Sequence, residues 1–475
     1  MKNKIIISVL ALGLWACETV DPFEVVNPNL SSESIIGQTN SANTWLKGTE
    51  RQSAIAFNGF LTISEIASDN YQNTNTFFNQ FLDGLDIRSV DPSMNIAFKG
   101  ISRLRETAKF GLEKIGPNDP AYSDATKSEF HFYLGLSYML TGEYFEGSPI
   151  EAAGPAVGAA DQMQLAIDNF TEAINADGSN TKALAARARA YYNLGDRTNA
   201  TADAAAVINT DPNFLFSISF DPVNSTGNNN GLTYTKNELQ LALQERGSFD
   251  DLQPLPRLDF ADPKMYTINS STDSDVPVLK VEEMHLILAE ANSAAGLDVL
   301  AQQNLRDCKT AIASRPIVTL DETAEDRSER NPGTRPDTAA VVVDGRSGLV
   351  KNRDANTTVH TISVTSISDA MIGVATGDDL LELIYLMRQE VFIAEGRRII
   401  DMGVTFVMHE NELLQNGNLT GSSLGNPNTP PFISAVADQL DEFTYDPVAL
   451  TASTTIDVNS IIVANKTSDF VCPFH

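Results

Sequence analysis

Residues 181–214 read TKALAARARAYYNLGDRTNATADAAAVINTDPNF, a stretch in which small and apolar residues recur at helical spacing on both sides of a glycine. The positions that fit two short helices joined by a turn are Leu184, Ala188, Tyr191, Gly195, Ala200, Ala204, Val207 and Pro212. Small residues let paired helices approach closely, and a proline ends a helix because it cannot continue the hydrogen-bond pattern. The stretch therefore predicts a pair of helices.

The same pattern recurs along the chain at a spacing of 34 residues. Three positions of the preceding segment fall 34 residues before their equivalents in this one: Ala166, Phe170 and Ala173 before Ala200, Ala204 and Val207. That period is typical of the tetratricopeptide helix-turn-helix. We expect three such units, around residues 128–178, 181–214 and 278–314, with an insertion from Glu143 to Asp161 inside the first.

Helical periodicity extends over much of the remaining chain. Further amphipathic helices are predicted over residues 45–66, 94–115 and 380–402, and surface loops over 69–91, 216–275 and 320–365. The sequence thus predicts an all-α fold, with tetratricopeptide-like helical pairs, large loop insertions and an irregular C-terminal part. We expect a single domain over residues 41–475.

The N-terminus has the pattern of a bacterial lipoprotein signal. Lys2 and Lys4 precede an apolar run from Ile5 to Leu14, which is followed by Trp15, Ala16 and Cys17. The run matches the core of a signal peptide and is too short for a permanent membrane helix. We expect residues 1–16 to be removed, Cys17 to carry the lipid, and residues 17–40 to form a tether. The alternative is ordinary secretion, with Cys17 a spare thiol.

The charge of the chain limits its partners. It has 62 acidic and 33 basic residues, a net charge of −29, which repels nucleic acid and anionic lipid. Membrane attachment would then come from acyl chains alone. Two other cysteines are present: Cys308, which falls at a small core position of the third unit, and Cys472. A disulfide between them is allowed in an oxidising compartment but is not required.

Catalytic motifs were not found in the sequence. The five histidines include no pair at the i, i+4 spacing of a zinc site, and neither a phosphate-binding glycine loop nor a Gly-x-Ser-x-Gly elbow occurs. We therefore predict no enzyme activity, no catalytic residue, no metal and no cofactor. A pair of carboxylates of the glycosidase type stays open, because sequence alone does not give their separation.

Three stretches resemble the SusD/RagB family of Bacteroidetes outer-membrane nutrient-binding lipoproteins. They are Glu129–Ile150, which ends in a Tyr-Phe-Glu-Gly-Ser-Pro turn, Val281–Ala291, which contains Leu-Ala-Glu-Ala, and Arg388–Met402, which contains Glu-Gly-Arg-Arg. Met387, Val391 and Gly403 depart from the charged residues common in the family, and the C-terminus Phe470–His475 lacks the usual Asn-Pro-Gly-Tyr-like ending. We interpret Glu395, Arg397, Arg398 and Asp401 as ion pairs between helices, with Glu395 and Arg398 on one helix face.

The resemblance implies a non-enzymatic role at the cell surface. Members of this family cap a SusC-like TonB-dependent transporter in the outer membrane and capture glycans or other nutrients. The prediction for this chain is therefore a lipid-anchored outer-membrane protein, facing the exterior, that delivers glycan or oligosaccharide to such a transporter. The alternative is a tetratricopeptide scaffold that binds protein or peptide; it would need a contiguous array of repeats, and the long segment before the third unit is expected to interrupt such an array.

Sugar binding needs aromatic faces and hydrogen-bonding amides. The segment from Ser68 to Gln80 alternates the two outside the repeats, so the predicted ligand-binding residues are Asn70, Tyr71, Asn73, Asn75, Phe77 and Phe78. The alternative is a loop whose aromatic residues anchor it to the core. A second, weaker candidate is the segment from Phe214 to Tyr234, and Trp45 is expected to belong to the core.

Overall fold

The computed structural model describes residues 35–73, 79–221, 236–243, 252–258, 260–261, 272–321, 338–339, 351–352, 356–446, 448 and 451–475. Helices dominate these ranges. In chain order they are α1 (Ser41–Ile66), α2 (Gln80–Asp83), α3 (Pro92–Phe110), α4 (Asp124–Tyr144), α5 (Ala159–Ala176), α6 (Thr181–Asn193), α7 (Arg197–Thr210), α8 (Glu238–Leu243), α9 (Val281–Ala294), α10 (Asp298–Ala313), α11 (Asp369–Val374), α12 (Gly377–Val391), α13 (Arg398–Asp401), α14 (Glu410–Gln415), α15 (Pro431–Ser434) and α16 (Val458–Ala464).

The strands are short and form antiparallel pairs. They are β1 (Tyr71–Asn73), β2 (Gly147–Pro149), β3 (Ala156–Gly158), β4 (Leu215–Ile218), β5 (Leu252–Pro254), β6 (Val276–Lys280), β7 (Ile317–Asp321), β8 (Thr338–Ala339), β9 (Lys351–Asn352), β10 (Asn356–His360), β11 (Phe443–Asp446) and β12 (Thr451–Thr454). The pairs are β1 with β5, β2 with β3, β4 with β6, β7 with β10, β8 with β9, and β11 with β12. Most of these short strands lie in segments predicted as loops. Because helices dominate the described residues, the predicted all-α fold class is confirmed.

The predicted helical pairs are present. Helix α4 packs on α5, α6 on α7, and α9 on α10, and the insertion inside the first unit contains the β2–β3 hairpin. Gly135 shows how closely the first pair approaches, since a Cβ there would lie 2.7 Å from the ring of Phe170. Helix α9 also packs directly on α7. The third pair therefore continues the array of the first two despite the long intervening segment.

The single long helix predicted over residues 380–402 is wrong. Helix α12 ends at Val391, and the chain then turns through Ala394 and Gly396, which have φ of 61° and 73°. Tertiary bonds stabilise this turn, because the Gly396 N–H donates to Glu65 Oε1 at 2.6 Å and its carbonyl accepts from the Tyr144 hydroxyl at 2.9 Å. Helical periodicity alone does not reveal such partners.

Buried ion pairs hold the segment after α12 to the rest of the molecule. Glu395 pairs with Lys280 at 2.6 Å, Arg397 with Glu143 at 2.7 Å, Arg398 with Asp69 at 2.5 Å, and Arg388 with Asp401 at 2.6 Å. The interpretation of these residues as ion pairs is confirmed. The placement of Glu395 and Arg398 on one helix face is wrong, because the helix is broken and the two side chains reach different parts of the chain, Lys280 and Asp69.

Both described cysteines are buried free thiols. Cys308 lies at a core position of α10 with no exposed surface, so its prediction as a core thiol is confirmed. Burial raises the pKa of the Cys472 thiol to about 12. None of the helices in the described ranges has the length and apolar character that crossing a membrane requires.

Glu290 gives the fold a specific dependence on pH. It is fully buried and accepts hydrogen bonds from the hydroxyls of Tyr192 at 2.6 Å and Tyr385 at 3.4 Å. Burial raises the pKa of Glu290 to about 7, although Arg388 acts in the opposite direction. A carboxyl with a raised folded-state pKa stabilises the fold while it is protonated, and this contribution is lost as pH rises from about 4.5 towards 7.

Replacing Glu290 by glutamine should remove that loss. We expect the stability of the variant, relative to the natural protein, to improve by up to about 3 kcal/mol between pH 4.5 and pH 8. Urea unfolding of both proteins at several pH values measures the difference. A stability difference that stays constant over this range would show that the carboxyl does not titrate inside the fold.

Candidate functional site

The first predicted site residues lie inside the molecule. Asn70 and Tyr71 have no exposed surface, and the Asn70 amide donates to Glu65 Oε2 at 2.9 Å and accepts from Gln389 at 3.2 Å. This is the arrangement expected of a segment anchored to the core. As placed, these two side chains do not offer a surface to a ligand, and a binding role for them stays a prediction.

Of the other four predicted site residues, the structure describes only Asn73. Asn73 is half-buried at the end of β1, and its N–H donates to Asp83 Oδ1 at 3.1 Å. Burial, together with the neighbouring Asp441, raises the pKa of Asp83 to about 7. Asn75, Phe77 and Phe78 lie outside the described residues. In the second candidate segment, Phe214 and Phe220 are buried. Residues 222–235 of that segment also lie outside the described residues.

A cavity lies where the helical pairs meet the C-terminal residues. This C-terminal cleft has a volume of about 590 Å³. It is lined by the end of α4 and the residues after it (Gly142, Glu143 and Glu146), by α5 (Ala159, Ala160 and Met163), by the end of α6 and the turn after it (Asn193, Leu194 and Gly195), by α13 and the segment after it (Ile400, Gly403, Val404 and Thr405), by Asn428, and by Thr467–Pro473 and His475. These helices and the C-terminal segment, residues 467–475, thus form its walls.

Two glycines make room for the C-terminal segment. Gly195 and Gly403 both have left-handed backbones, with φ of 71° and 70°. A Cβ at Gly195 would lie 2.8 Å from the Pro473 carbonyl oxygen, and one at Gly403 would lie 2.7 Å from the Phe470 carbonyl oxygen. Such contacts are shorter than van der Waals distance, so larger residues at either position would displace the segment. The family departures noted at Gly403 and at the C-terminus therefore meet in one wall of the cleft.

The C-terminal segment is anchored beyond the cleft. Val471 and Cys472 are buried, and the Phe474 ring packs edge-on against Tyr192 with ring centres 5.1 Å apart. Tyr192 is itself held by its bond to Glu290. The wall is therefore fixed to the core through α6 and α9.

The cleft combines an aromatic face with hydrogen-bonding groups. Phe470 is 43% exposed, and Phe432 supports it edge-on at 6.4 Å. In the described part of the chain, the hydroxyl oxygens of Thr405 and Ser468 are buried and have no hydrogen-bond partner. Buried polar groups are normally satisfied, and because these two oxygens are enclosed, a bound polar molecule would reach them only after a local movement of the cleft wall. An aromatic face beside such groups suits a sugar ring.

The charged side chains that line the cleft are mainly carboxylates. Glu143 is neutralised by Arg397 at 2.7 Å and also accepts from the Asn193 amide at 2.9 Å. Glu146 and Asp469 are exposed, and among the described residues neither forms an ion pair. No lysine or arginine is among the described lining residues. Desolvation, together with the Lys466 ammonium, lowers the pKa of His475, which therefore adds little positive charge at neutral pH.

A shallower depression of about 520 Å³ surrounds Trp45. The indole is only partly buried, contrary to its prediction as a core residue. It lies 5.0 Å from the Phe110 ring, and its N–H donates to the Thr107 carbonyl at 2.8 Å. Trp45 packs on the core with one part of its ring and lines the depression with another. The described residues contain no group of three or more His, Cys, Asp or Glu side chains placed to hold a metal.

The sequence analysis missed the C-terminal cleft. Its lining residues are spread from Gly142 to His475, and only folding brings them together. The one signal present was indirect, namely the unusual ending of the chain together with Gly403. Neither carries the pattern of a binding motif.

Comparison with solved structures identifies the fold. The chain is similar to a SusD superfamily protein from Bacteroides thetaiotaomicron (TM-score 0.53, 12% identity, 80% of this chain and 97% of that one). It is also similar to one from Bacteroides fragilis (TM-score 0.52, 15% identity, 81% and 100%) and to a SusD-like carbohydrate-binding protein from Bacteroides vulgatus (TM-score 0.50, 13% identity, 77% and 83%).

These similarities establish a SusD-like fold for this chain. The resemblance seen in the sequence is thereby confirmed at the level of the fold. No family model matches the sequence, and no curated protein matches it either.

Proposed function

We propose that this protein is a cell-surface lipoprotein that binds glycan or oligosaccharide and delivers it to a SusC-like TonB-dependent transporter of the outer membrane. The role is binding, without catalysis. The acyl group on Cys17 would provide the anchor, and residues 17–40 the tether.

The observation that carries the proposal is the C-terminal cleft on a SusD-like fold. Its exposed aromatic ring and its polar lining suit sugars, and one protein of the same fold is described as carbohydrate-binding. Glycan-binding sites are commonly concave, with an aromatic face and a few placed polar groups. We therefore place ligand binding in the cleft, and keep the six residues of the β1 segment as the competing site.

Replacing Phe470 by alanine should weaken glycan binding about two- to tenfold, since an aromatic stacking contact contributes about 0.5–1.5 kcal/mol beyond area burial. Isothermal titration calorimetry with a glycan first identified on an array measures the affinity. Asn73→Ala is the matched variant for the β1 segment, and Trp45→Ala for the shallow depression. A loss with Asn73→Ala and none with Phe470→Ala would move the site to the β1 segment.

Pull-down from detergent-solubilised outer membranes tests the partner. The lipidated protein is the bait, and a Cys17→Ala form is the control for localisation. Recovery of a TonB-dependent barrel is expected. Recovery of soluble proteins alone would contradict delivery to a transporter.

One observation favours the alternative, a scaffold that binds protein or peptide. The third helical pair packs directly on the second, so the helical array is continuous in space. The sequence predicted that the long segment before this pair interrupts the array, but in the folded structure it does not. Binding of peptides but of no glycan on arrays would favour this alternative.

A further inference from the structure

The C-terminal cleft has a charge that bears on which sugars it accepts. Its two exposed carboxylates come from different parts of the lining: Glu146 follows the end of α4 at Tyr144, and Asp469 lies in the C-terminal segment. Ionised carboxylates only accept hydrogen bonds, so they suit the hydroxyl or ammonium groups of a ligand. They repel a carboxylate of the ligand.

We propose that the cleft selects neutral and amino sugars and rejects sugar acids such as uronates. This inference rests on the proposed function and specifies the ligand class for the same site. Glu146 and Asp469 exclude acids by repulsion, while the exposed ring of Phe470 contacts any sugar ring of suitable shape.

Within the described lining of the cleft there is no lysine or arginine, and this makes the rejection effective. A site that takes uronates needs lysine or arginine beside the carboxylate, because desolvating an unpaired anion is costly. Lys466 and Arg197 act on His475 from outside the lining, and Lys466 is paired with Asp378. Arg397, which reaches Glu143 in the wall, is buried and already occupied by Glu143 and Glu283. It has no capacity to receive a ligand carboxylate without breaking a core ion pair.

Each carboxylate near the ligand changes its affinity by about fivefold for a unit charge at contact distance in water. Two carboxylates should therefore disfavour an acid by about tenfold or more against its neutral equivalent. The effect should shrink at high salt, because exposed charges are screened.

The test compares oligosaccharides that share a backbone and differ in charge. An array at pH 7 carries each oligosaccharide in paired forms: oligogalacturonides and their methyl esters, cello-oligosaccharides and their glucuronate equivalents, and chitin and chitosan oligosaccharides. We expect binding of a neutral or amino form, and at least tenfold weaker binding of its acid partner. Equal binding of both partners would overturn the inference and leave the proposed function standing. No binding of any form would overturn both.

The net charge of −29 also repels anions, so a local control is needed. The double variant Glu146→Gln with Asp469→Asn should bring the acid form to within about threefold of the neutral form. Glu106→Gln with Glu113→Gln removes the same charge beside Trp45 and should leave the tenfold ratio unchanged. If the control pair relaxes the ratio as much as the cleft pair, the rejection comes from the whole protein and the inference fails.

Discussion

Replacing Asp69 by asparagine is expected to lower the free energy of unfolding by about 3–5 kcal/mol. The Asp69 side chain is fully buried and binds Arg398 at 2.5 Å, Arg257 at 2.5 Å and the Gln389 amide at 3.0 Å. Burial raises the pKa of Asp69, but the two guanidinium groups outweigh this and hold the pKa below its usual value. Asparagine keeps the shape of the side chain and removes the charge that compensates the arginines.

An exposed ion pair provides the control for Asp69. Lys466 contacts Asp378, whose side chain is 63% exposed, and pairs of this kind contribute about 0–1 kcal/mol. Asp378→Asn should therefore change stability little. Urea unfolding followed by circular dichroism compares the variants. If Asp69→Asn costs no more than Asp378→Asn, the buried cluster does not hold the fold together.

Replacing Gly396 by alanine should cost about 2–5 kcal/mol, the sum of two effects. The first is the left-handed backbone at φ 73°, which any residue with a Cβ adopts at a cost. The second is crowding, because the new Cβ would lie 2.8 Å from the Tyr144 hydroxyl and 2.9 Å from Ser64 Oγ. The turn after α12 has no room to move, since the Gly396 N–H is bonded to Glu65.

Gly377 separates the two effects. It also has a left-handed backbone, at φ 54°, but no described atom lies within 4 Å of where its Cβ would be. Gly377→Ala should then cost about 1–2 kcal/mol, the backbone effect alone. Thermal unfolding of both variants measures the difference. Equal losses would mean that the neighbours of Gly396 yield, and that crowding at this turn is not important.

The helical pairs could be predicted from the sequence because their pattern is local. The spacing of small residues around Gly195, and the 34-residue period, report which positions of each helix face its neighbour. Packing then confirms them, with Ala188, Ala200, Ala204 and Cys308 fully buried. The residue types after α12 likewise identified ion pairs, since charged residues among apolar ones need partners.

The partners themselves were decided by tertiary structure. Asp69 is 329 residues from Arg398, and Glu143 is 254 from Arg397, so spacing on one helix could not indicate either pair. The same reason applies to Asn70 and Tyr71, whose residue types suit a binding loop but which the fold encloses with Glu65 and Gln389.

The C-terminal cleft depends most on tertiary structure. It exists because the chain end returns to the helical pairs and packs against glycines at positions 195 and 403. The sequence by itself determined the helices, the acidic charge and the type of fold, because these follow from composition and local spacing. Which residues face one cavity depends on contacts between distant segments, and only the folded structure determines those contacts.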